Sequence, residues 1–265
     1  SDSASIATDD ASAIIQYGLD NEFLERIEHK LGDVVTTDEK TALQMAYVRN
    51  NSLHLFILPG LICSLVMNAR SISMDTLQSM VHLLYPFLRN EYYLHWQDGD
   101  DLSQAVTNTV NVLEKEQLIS REDDCLHGAP IHTHESDMLD HLGQTVMPSL
   151  ERYYLTIRLL VQYGSGMLTA NQLGELAHQT AQRLSLLYEF NSPEFFDKVV
   201  LKNFISQLYG TGLVTTDDAG ALVFDEKLES LDDEARRILS PDISDAIQRV
   251  TRVTDIEHLV EPAKT

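Results

Sequence analysis

A short segment between residues 125 and 141 is dense in side chains that bind metals or move protons. Zinc takes four nitrogen, sulfur or oxygen ligands, and a regular arrangement of such residues would suit it. Here no two cysteines are separated by two residues, and the spacing is irregular for a structural zinc site. We therefore expect a solvated, histidine-rich linker and no bound metal or other cofactor. The residues concerned are Cys125, His127, His132, His134, Asp137 and His141.

Within this segment, His132 and Asp137 have the H-x4-D spacing of enzymes that transfer acyl groups to a hydroxyl. In such a pair the Asp orients the His, which removes the proton of the attacking hydroxyl. That chemistry also needs a rigid turn and a segment that binds phosphate, yet no glycine-rich or basic segment follows. We interpret the pair as a coincidence of spacing and predict no catalytic residue in this chain.

A polar group of four residues adjoins the longest apolar stretch: Arg49, Asn50, Asn51 and His54. The guanidinium of Arg49 is a two-pronged donor for carboxylate or phosphate, so the group could dock a partner. The same residues could instead form a buried hydrogen-bond network that tightens the helix ends. Both interpretations stay open, whereas Arg183, in a similar polar setting, is expected to be structural.

The charge balance excludes several classes of partner. The chain has 265 residues, with 19 Lys and Arg against 41 Asp and Glu, and a net charge of −22. Nucleic acid binding needs clustered cations, so we expect no nucleic acid partner and no polybasic attachment to anionic lipid. Two cysteines are too few for a disulfide framework, which favours a reducing compartment. The chain begins at Ser1 without a signal segment, which suggests a fragment of a longer protein.

The apolar stretch itself runs from Leu53 to Met67 and is shorter than the roughly 20 residues that cross a bilayer. Pro59 and Gly60 interrupt it, which predicts a pair of buried helices broken at Pro59. Contact with a membrane surface is the alternative.

Two helices separated by a short strand are predicted before this apolar stretch. Apolar residues at helical spacing predict a helix over residues 11–31, and a short strand follows at Asp33–Val35. Thr36 and Glu39 have the spacing of a capping box, so the next helix should begin there.

The most informative pattern is an internal repeat, in which the segment from Ser71 aligns with the segment from Met167. Each copy predicts a capped helix, a break, a second helix and a hairpin, which is the order of a winged helix. The predicted helix starts are Ser73 in the first copy, and Thr169 with Gln172 and then Ser192–Glu194 in the second.

The predicted fold is therefore mainly α, with two tandem winged-helix-like repeats after an N-terminal helical lead-in. Hairpin turns are predicted at Asp123–Asp124 and Asp217–Gly220. The helices before the hairpins carry at least as many acids as bases, which favours packing or protein interaction. The predicted segments are a disordered start at 1–10, the lead-in at 11–70, repeats at 71–128 and 167–226, a linker and helix at 129–166, and C-terminal helices and tail at 227–265.

Four blocks of this sequence resemble the bacterial membrane-bound glycerol-3-phosphate 1-O-acyltransferase family. Residues Tyr47–His54, followed by Leu58 and Pro59, resemble its Y-x-R-N-N-x-x-H…L-P block. The other blocks, in the same order, are Leu83–Pro86, Ala181–Ser185 and Pro193–Lys198. The resemblance covers nearly the whole chain and places it in the C-terminal third of the family, downstream of the acyltransferase domain.

The resemblance implies a parent enzyme that transfers an acyl group from acyl-CoA or acyl carrier protein to the 1-position of sn-glycerol-3-phosphate, in phospholipid synthesis. It also implies a peripheral position at the cytoplasmic face of the bacterial inner membrane. The catalytic H-x4-D and phosphate-binding blocks of the family lie N-terminal to the matched region. This chain is therefore expected not to perform the reaction alone.

The resemblance implies a docking, oligomerising or membrane-positioning role. The expected partner is the acyltransferase domain of the same polypeptide, and acyl carrier protein, a second copy and the membrane surface are further candidates. The alternative is a free-standing tandem winged-helix scaffold that binds protein partners.

Overall fold

A computed structural model of the chain describes residues 10–69, 71–97, 99–188 and 197–253. Over these residues it contains eleven α-helices and three small antiparallel sheets, in agreement with the predicted mainly helical class. The chain divides into two compact units, one ending at Leu55 and the other beginning at Phe56. The predicted disordered start, apart from Asp10, lies outside the described residues.

The first unit contains a hairpin that the sequence did not predict. The predicted helix over 11–31 is wrong beyond Asp20, because Glu22 adopts a left-handed conformation and Phe23 N–H turns back to the Gly18 carbonyl. The predicted strand at 33–35 is confirmed by β2, which pairs with β1. The elements are α1 (Ala11–Asp20), β1 (Glu25–Ile27), β2 (Val34–Thr36), α2 (Glu39–Asn50) and a 3-10 turn (Leu53–Leu55).

Helix α2 begins at Glu39, and its N-cap is Asp38. The Asp38 carboxylate accepts hydrogen bonds from the backbone N–H groups of Lys40 and Thr41, at 2.9 and 3.1 Å. The predicted capping box from Thr36 is therefore wrong, because the carboxylate of Asp38 stands at the cap position instead.

The second unit begins with α3 (Ile57–Ala69), an unbroken helix that covers the apolar stretch from Ile57 onward. The predicted break at Pro59 is wrong, because Pro59 is the third residue of α3, where a backbone N–H would have no helical acceptor. Residues Ile57, Leu58 and Gly60–Val66 of α3 are buried. No helix of the described ranges combines the length and hydropathy needed to cross a bilayer.

The first repeat is a three-stranded antiparallel sheet with two helices inserted between its first and second strands. The strand order is β3-β5-β4, and Asp123 and Asp124 form the hairpin turn at positive φ, as predicted. Ser73 caps α4 as predicted, accepting from the Thr76 N–H. The elements are β3 (Ile72–Ser73), α4 (Met74–Tyr92), α5 (Asp100–Lys115), β4 (Ile119–Glu122) and β5 (Cys125–Gly128).

The second repeat has the same order of elements, with an isolated bridge between Thr169 and Ala221 where the first repeat has β3 and β5. Thr169 and Gln172 cap each other reciprocally, as predicted. The predicted helix start at Ser192–Glu194 lies outside the described residues. The elements are α8 (Ala170–Tyr188), α9 (Lys198–Gly210), β6 (Thr215–Thr216) and β7 (Leu222–Val223).

Four further helices complete this unit, and one of them is its centre. They are α6 (His134–Gln144), α7 (Met147–Tyr163), α10 (Glu226–Ile238) and α11 (Pro241–Val253). Helix α7 packs against α6, α8, α9, α10 and α11, and every residue from Ser149 to Ile157 is buried. Three aromatic rings join α4, α7 and α9: Tyr153 stacks on Phe204 at 4.3 Å, and Phe87 lies 5.4 Å from Phe204.

Candidate functional site

The polar group of the first family block lies on the surface, at the end of α2. Arg49, Asn50, Asn51 and His54 are exposed, and Arg49 Nη2 donates to Asn50 Oδ1 at 3.1 Å. Ser52 Oγ donates to the Arg49 carbonyl at 2.9 Å and so orders the turn after the helix. Arg183 is also exposed, on α8 of the second unit.

The histidine-rich segment is spread over a strand, a loop and a helix. Cys125 and His127 lie on β5, whereas His132 lies in the following loop with φ of 70°. His132 and Asp137 are both exposed, and His141 Nδ1 lies 2.6 Å from the Asp137 carbonyl oxygen. Among the described residues, no three His, Cys, Asp or Glu side chains are placed to hold a metal ion.

The first unit exposes most of its large apolar side chains. Gly18 is the one buried residue among those of 10–55 whose burial the structure describes. On α2, Tyr47 is 74% and Val48 67% exposed, directly before Arg49. Such a surface, apolar and adjoined by polar groups, is typical of a site that another protein surface covers. Other exposed apolar side chains of this unit are Ile14, Ile15, Tyr17, Phe23, Ile27, Leu31, Val34, Val35, Leu43, Met45 and Leu55.

The second unit contains a buried polar cluster between α4 and α7. Arg152 Nη2 lies 2.5 Å from Glu91 Oε1, and the Arg152 side chain is only 2% exposed. Tyr153 OH and Ser149 Oγ also donate to the Glu91 carboxylate, at 2.6 and 2.7 Å. Tyr92 OH lies 2.8 Å from Ser149 Oγ and closes the cluster.

The electrostatics of this cluster keep every donor protonated. Burial first, and then the Glu91 charge, raise the pKa of Tyr92 to about 12 and also raise the pKa of Tyr153. Burial acts to lower the pKa of Arg152, but the Glu91 charge and hydrogen bond, together with Tyr153 and Tyr92, outweigh burial and raise the pKa. Neither phenol can therefore act as a base near neutral pH. The arrangement suits a structural connection between α4 and α7 rather than proton transfer.

The sequence analysis did not find this cluster, because Glu91 and Arg152 are far apart in sequence. One signal was present: Glu91 and Arg152 each stand directly before a Tyr-Tyr-Leu string. Residues of opposite charge before the same three residues, in two predicted helical segments, would have suggested that the two charges pair.

Glu151, next to Arg152, is a buried carboxyl of a different kind. It is 7% exposed and accepts no hydrogen bond from any described residue. Burial raises the pKa of Glu151 to about 8, although the Arg152 charge acts to lower it. The folded chain therefore keeps this carboxyl largely neutral at pH 7.

We expect Glu151→Gln to stabilise the chain at pH 8 and to leave its stability unchanged at pH 5. Because the folded pKa lies above the unfolded one, the native state holds the proton longer, and stability falls as pH rises from about 4.5 to about 8. The gain at pH 8 should be about 2 kcal/mol, allowing for the part of the group that contacts water. Urea unfolding of both forms at the two pH values measures it. The exposed Glu122→Gln is the control, and an equal effect at pH 5 and pH 8 would contradict the assignment.

Comparisons with known proteins agree on one family. Residues 1–217 match the family described as glycerol-3-phosphate acyltransferase C-terminal region. A glycerol-3-phosphate acyltransferase from Xanthomonas campestris pv. campestris is 34% identical over 99% of this chain and 30% of its own length. A protein of the same name from Pseudomonas entomophila is 34% identical over 91% of this chain and 29% of its own length. Another, from Xylella fastidiosa, is 35% identical over 90% of this chain and 28% of its own length.

The chain thus spans about 30% of the length of these relatives. The family match covers most of the chain, including the block at Tyr47–His54 and the one at Ala181–Ser185. The resemblance inferred from these blocks is confirmed. The chain belongs to the family of glycerol-3-phosphate acyltransferase C-terminal regions.

Proposed function

We propose that this chain is the non-catalytic C-terminal region of an enzyme that acylates glycerol 3-phosphate, and that its first unit docks on the acyltransferase domain of the same polypeptide. The observation that carries this proposal is the exposed apolar surface of α2 at Tyr47 and Val48, which lies within the first family block. The parent enzyme would act at the cytoplasmic face of the bacterial inner membrane.

Helix α2 is the element best suited to this docking. Most helical stability in proteins comes from burying an apolar face, yet no residue of α2 whose side chain is described is buried. Tyr47 and Val48 supply apolar area, and the Arg49 guanidinium can pair with a carboxylate of the opposing surface. A large aromatic residue next to an arginine is a common composition for the centre of an interface.

We further propose that each repeat is a winged-helix-like module used for packing and protein contact. The order strand, helix, helix, hairpin and the pairing of the first strand with the last support this proposal. Helix α5, which precedes the first hairpin, carries Asp100, Asp101 and Glu114 against the single cation Lys115. Such a surface repels phosphate, so the modules serve protein partners rather than nucleic acid.

Contact with the membrane, a second copy or acyl carrier protein would add to this docking rather than replace it. A net charge of −22 opposes attraction to anionic lipid. Any peripheral contact of this region with the bilayer is therefore made through apolar side chains.

We expect the double substitution Tyr47→Ser and Val48→Ser to act in the full-length enzyme and not in the isolated chain. Both side chains are exposed here, so urea unfolding of the isolated chain should change by less than about 0.5 kcal/mol. In the full-length enzyme they become interface residues, and acyl transfer to glycerol 3-phosphate should fall about tenfold or more, as for loss of an interface anchor.

The matched control is Val112→Ser, which removes a side chain that is 57% exposed on α5 of the second unit. It should change neither measurement. The docking proposal would be overturned by full activity of the double variant. It would equally be overturned by a loss of stability in the isolated chain, since the surface would then be covered within the chain itself.

A further inference from the structure

An open cleft of about 410 Å³ lies between the C-terminal halves of α4 and α9 in the second unit. This volume is within the range of small-molecule sites. Helix α4 contributes one wall and helix α9 with its C-cap the other, so two rigid elements hold the site. The lining residues are Tyr85, Pro86, Arg89, Asn90, Ser206, Gln207, Gly210 and Thr211.

The α4 wall is held by hydrogen bonds to the segment that follows the helix. Tyr85 OH donates to the Trp96 carbonyl at 3.1 Å, and Arg89 Nη2 donates to Gln97 Oε1 at 3.2 Å. The Gln97 N–H is held in turn by the Asp101 carboxylate at 2.6 Å. The guanidinium of Arg89 is therefore oriented by a neutral amide, with most of its donors still available.

Arg89 is the one charged side chain among the lining residues, and it pairs with no carboxylate of the described residues. Its planar fork matches a phosphate or a carboxylate.

The α9 wall offers acceptors. Gln207 Oε1 is buried and accepts no hydrogen bond within the described part of the chain. The hydroxyl hydrogens of Ser206 and Thr211 are already donated to backbone carbonyls of α9, at 3.0 and 3.1 Å, so each oxygen keeps only the capacity to accept a further hydrogen bond. A buried acceptor without a partner is rare in proteins and is satisfied when a ligand supplies a donor.

We propose that this cleft binds a small organic anion whose other end carries hydroxyl groups, such as the phosphate or carboxylate of a short polyol. The Arg89 guanidinium holds the anionic group. Gln207 Oε1 accepts from a ligand hydroxyl, and Ser206 and Thr211 accept from others. The proposal is independent of docking through α2, because the cleft lies wholly within the second unit.

Calorimetric titration of the chain with four probes tests this proposal: glycerol 3-phosphate, glycerate, inorganic phosphate and glycerol. The two hydroxyl-bearing anions should bind more tightly than inorganic phosphate, and glycerol should not bind. Arg89→Gln should weaken glycerol 3-phosphate at least tenfold. Gln207→Leu should weaken the hydroxyl-bearing anions but leave inorganic phosphate unchanged.

Two further variants control for altered folding. Gly210→Leu adds a bulky apolar side chain at a lining position and should abolish binding. A Cβ atom there would meet no atom within 4 Å, so the backbone need not move. Arg121→Gln, at an exposed arginine of β4, should change nothing. No saturable binding of any anion, or equal affinity in wild type, Arg89→Gln and Gly210→Leu, would overturn the proposal.

Discussion

Replacing Arg152 with methionine is expected to lower the free energy of unfolding by about 3–5 kcal/mol. The guanidinium is almost fully buried, and its removal leaves the Glu91 carboxylate, whose side chain is only 18% exposed, without its counter-charge. The donors Ser149 and Tyr153 remain, but neither carries a positive charge. Urea unfolding, followed by circular dichroism, measures the loss.

Two controls separate burial of an unpaired charge from loss of packing. Arg121→Met breaks the exposed pair with Glu114, which should cost less than about 1 kcal/mol. The double variant Arg152→Met with Glu91→Met removes both charges and should recover part of the lost stability, although Tyr153 OH and Ser149 Oγ then lose their acceptor. If the single variant were no less stable than Arg121→Met, the cluster would not be the connection between α4 and α7 that its geometry indicates.

Gly60→Ala is expected to destabilise the second unit by about 3 kcal/mol, which is near the upper end of the destabilisation typical of overpacked cores. A Cβ atom at Gly60 would lie 2.6 Å from the backbone carbonyl oxygen of Leu142 and would also collide with Thr145 Oγ1. The threonine side chain can rotate, but the carbonyl belongs to the backbone of α6. Helices α3 and α6 would therefore have to separate along their contact.

Thermal and urea unfolding of Gly60→Ala measure this effect, and Gly174→Ala is the matched control. A Cβ at Gly174 on α8 would meet its nearest atom at 3.7 Å, an ordinary contact. There the higher helix propensity of alanine should leave stability equal or raise it by up to about 1 kcal/mol. An equal response of the two variants would show that α3 and α6 do not approach at Gly60 as closely as described.

Local signals in the sequence predicted those features of the fold that a few neighbouring residues determine. Ser73 caps α4, and Asp123 and Asp124 form the hairpin turn, because each acts through its own backbone or side chain. The prediction of one helix over residues 11–31 was wrong because the end of that helix also depends on a single local residue. Its end at Asp20 requires a left-handed residue, and here that residue is Glu22 rather than the glycine that would have marked it.

The candidate sites were less predictable, because their parts come from distant segments. The sequence block identified the polar group at Arg49. Whether that group is buried decides between a hydrogen-bond network and a docking surface, and no local sequence pattern reveals burial. The Glu91–Arg152 pair and the cleft of Arg89 and Gln207 each require two helices to meet. Only the packing of α4 against α7 and α9 brings these residues together.

The central position of α7 determines how the second unit unfolds. Tandem repeats ordinarily lose structure one repeat at a time, because each contacts only its neighbour. Here Arg152 connects α7 to α4, Arg158 connects it to Asp232 of α10, and Gln162 connects it to the Thr251 carbonyl of α11. Removing the first repeat would leave the Arg152 charge without Glu91, and removing the second would uncover the Tyr153 ring that stacks on Phe204. We therefore expect native-state hydrogen exchange to show a single cooperative opening for both repeats, with neither able to fold when expressed alone.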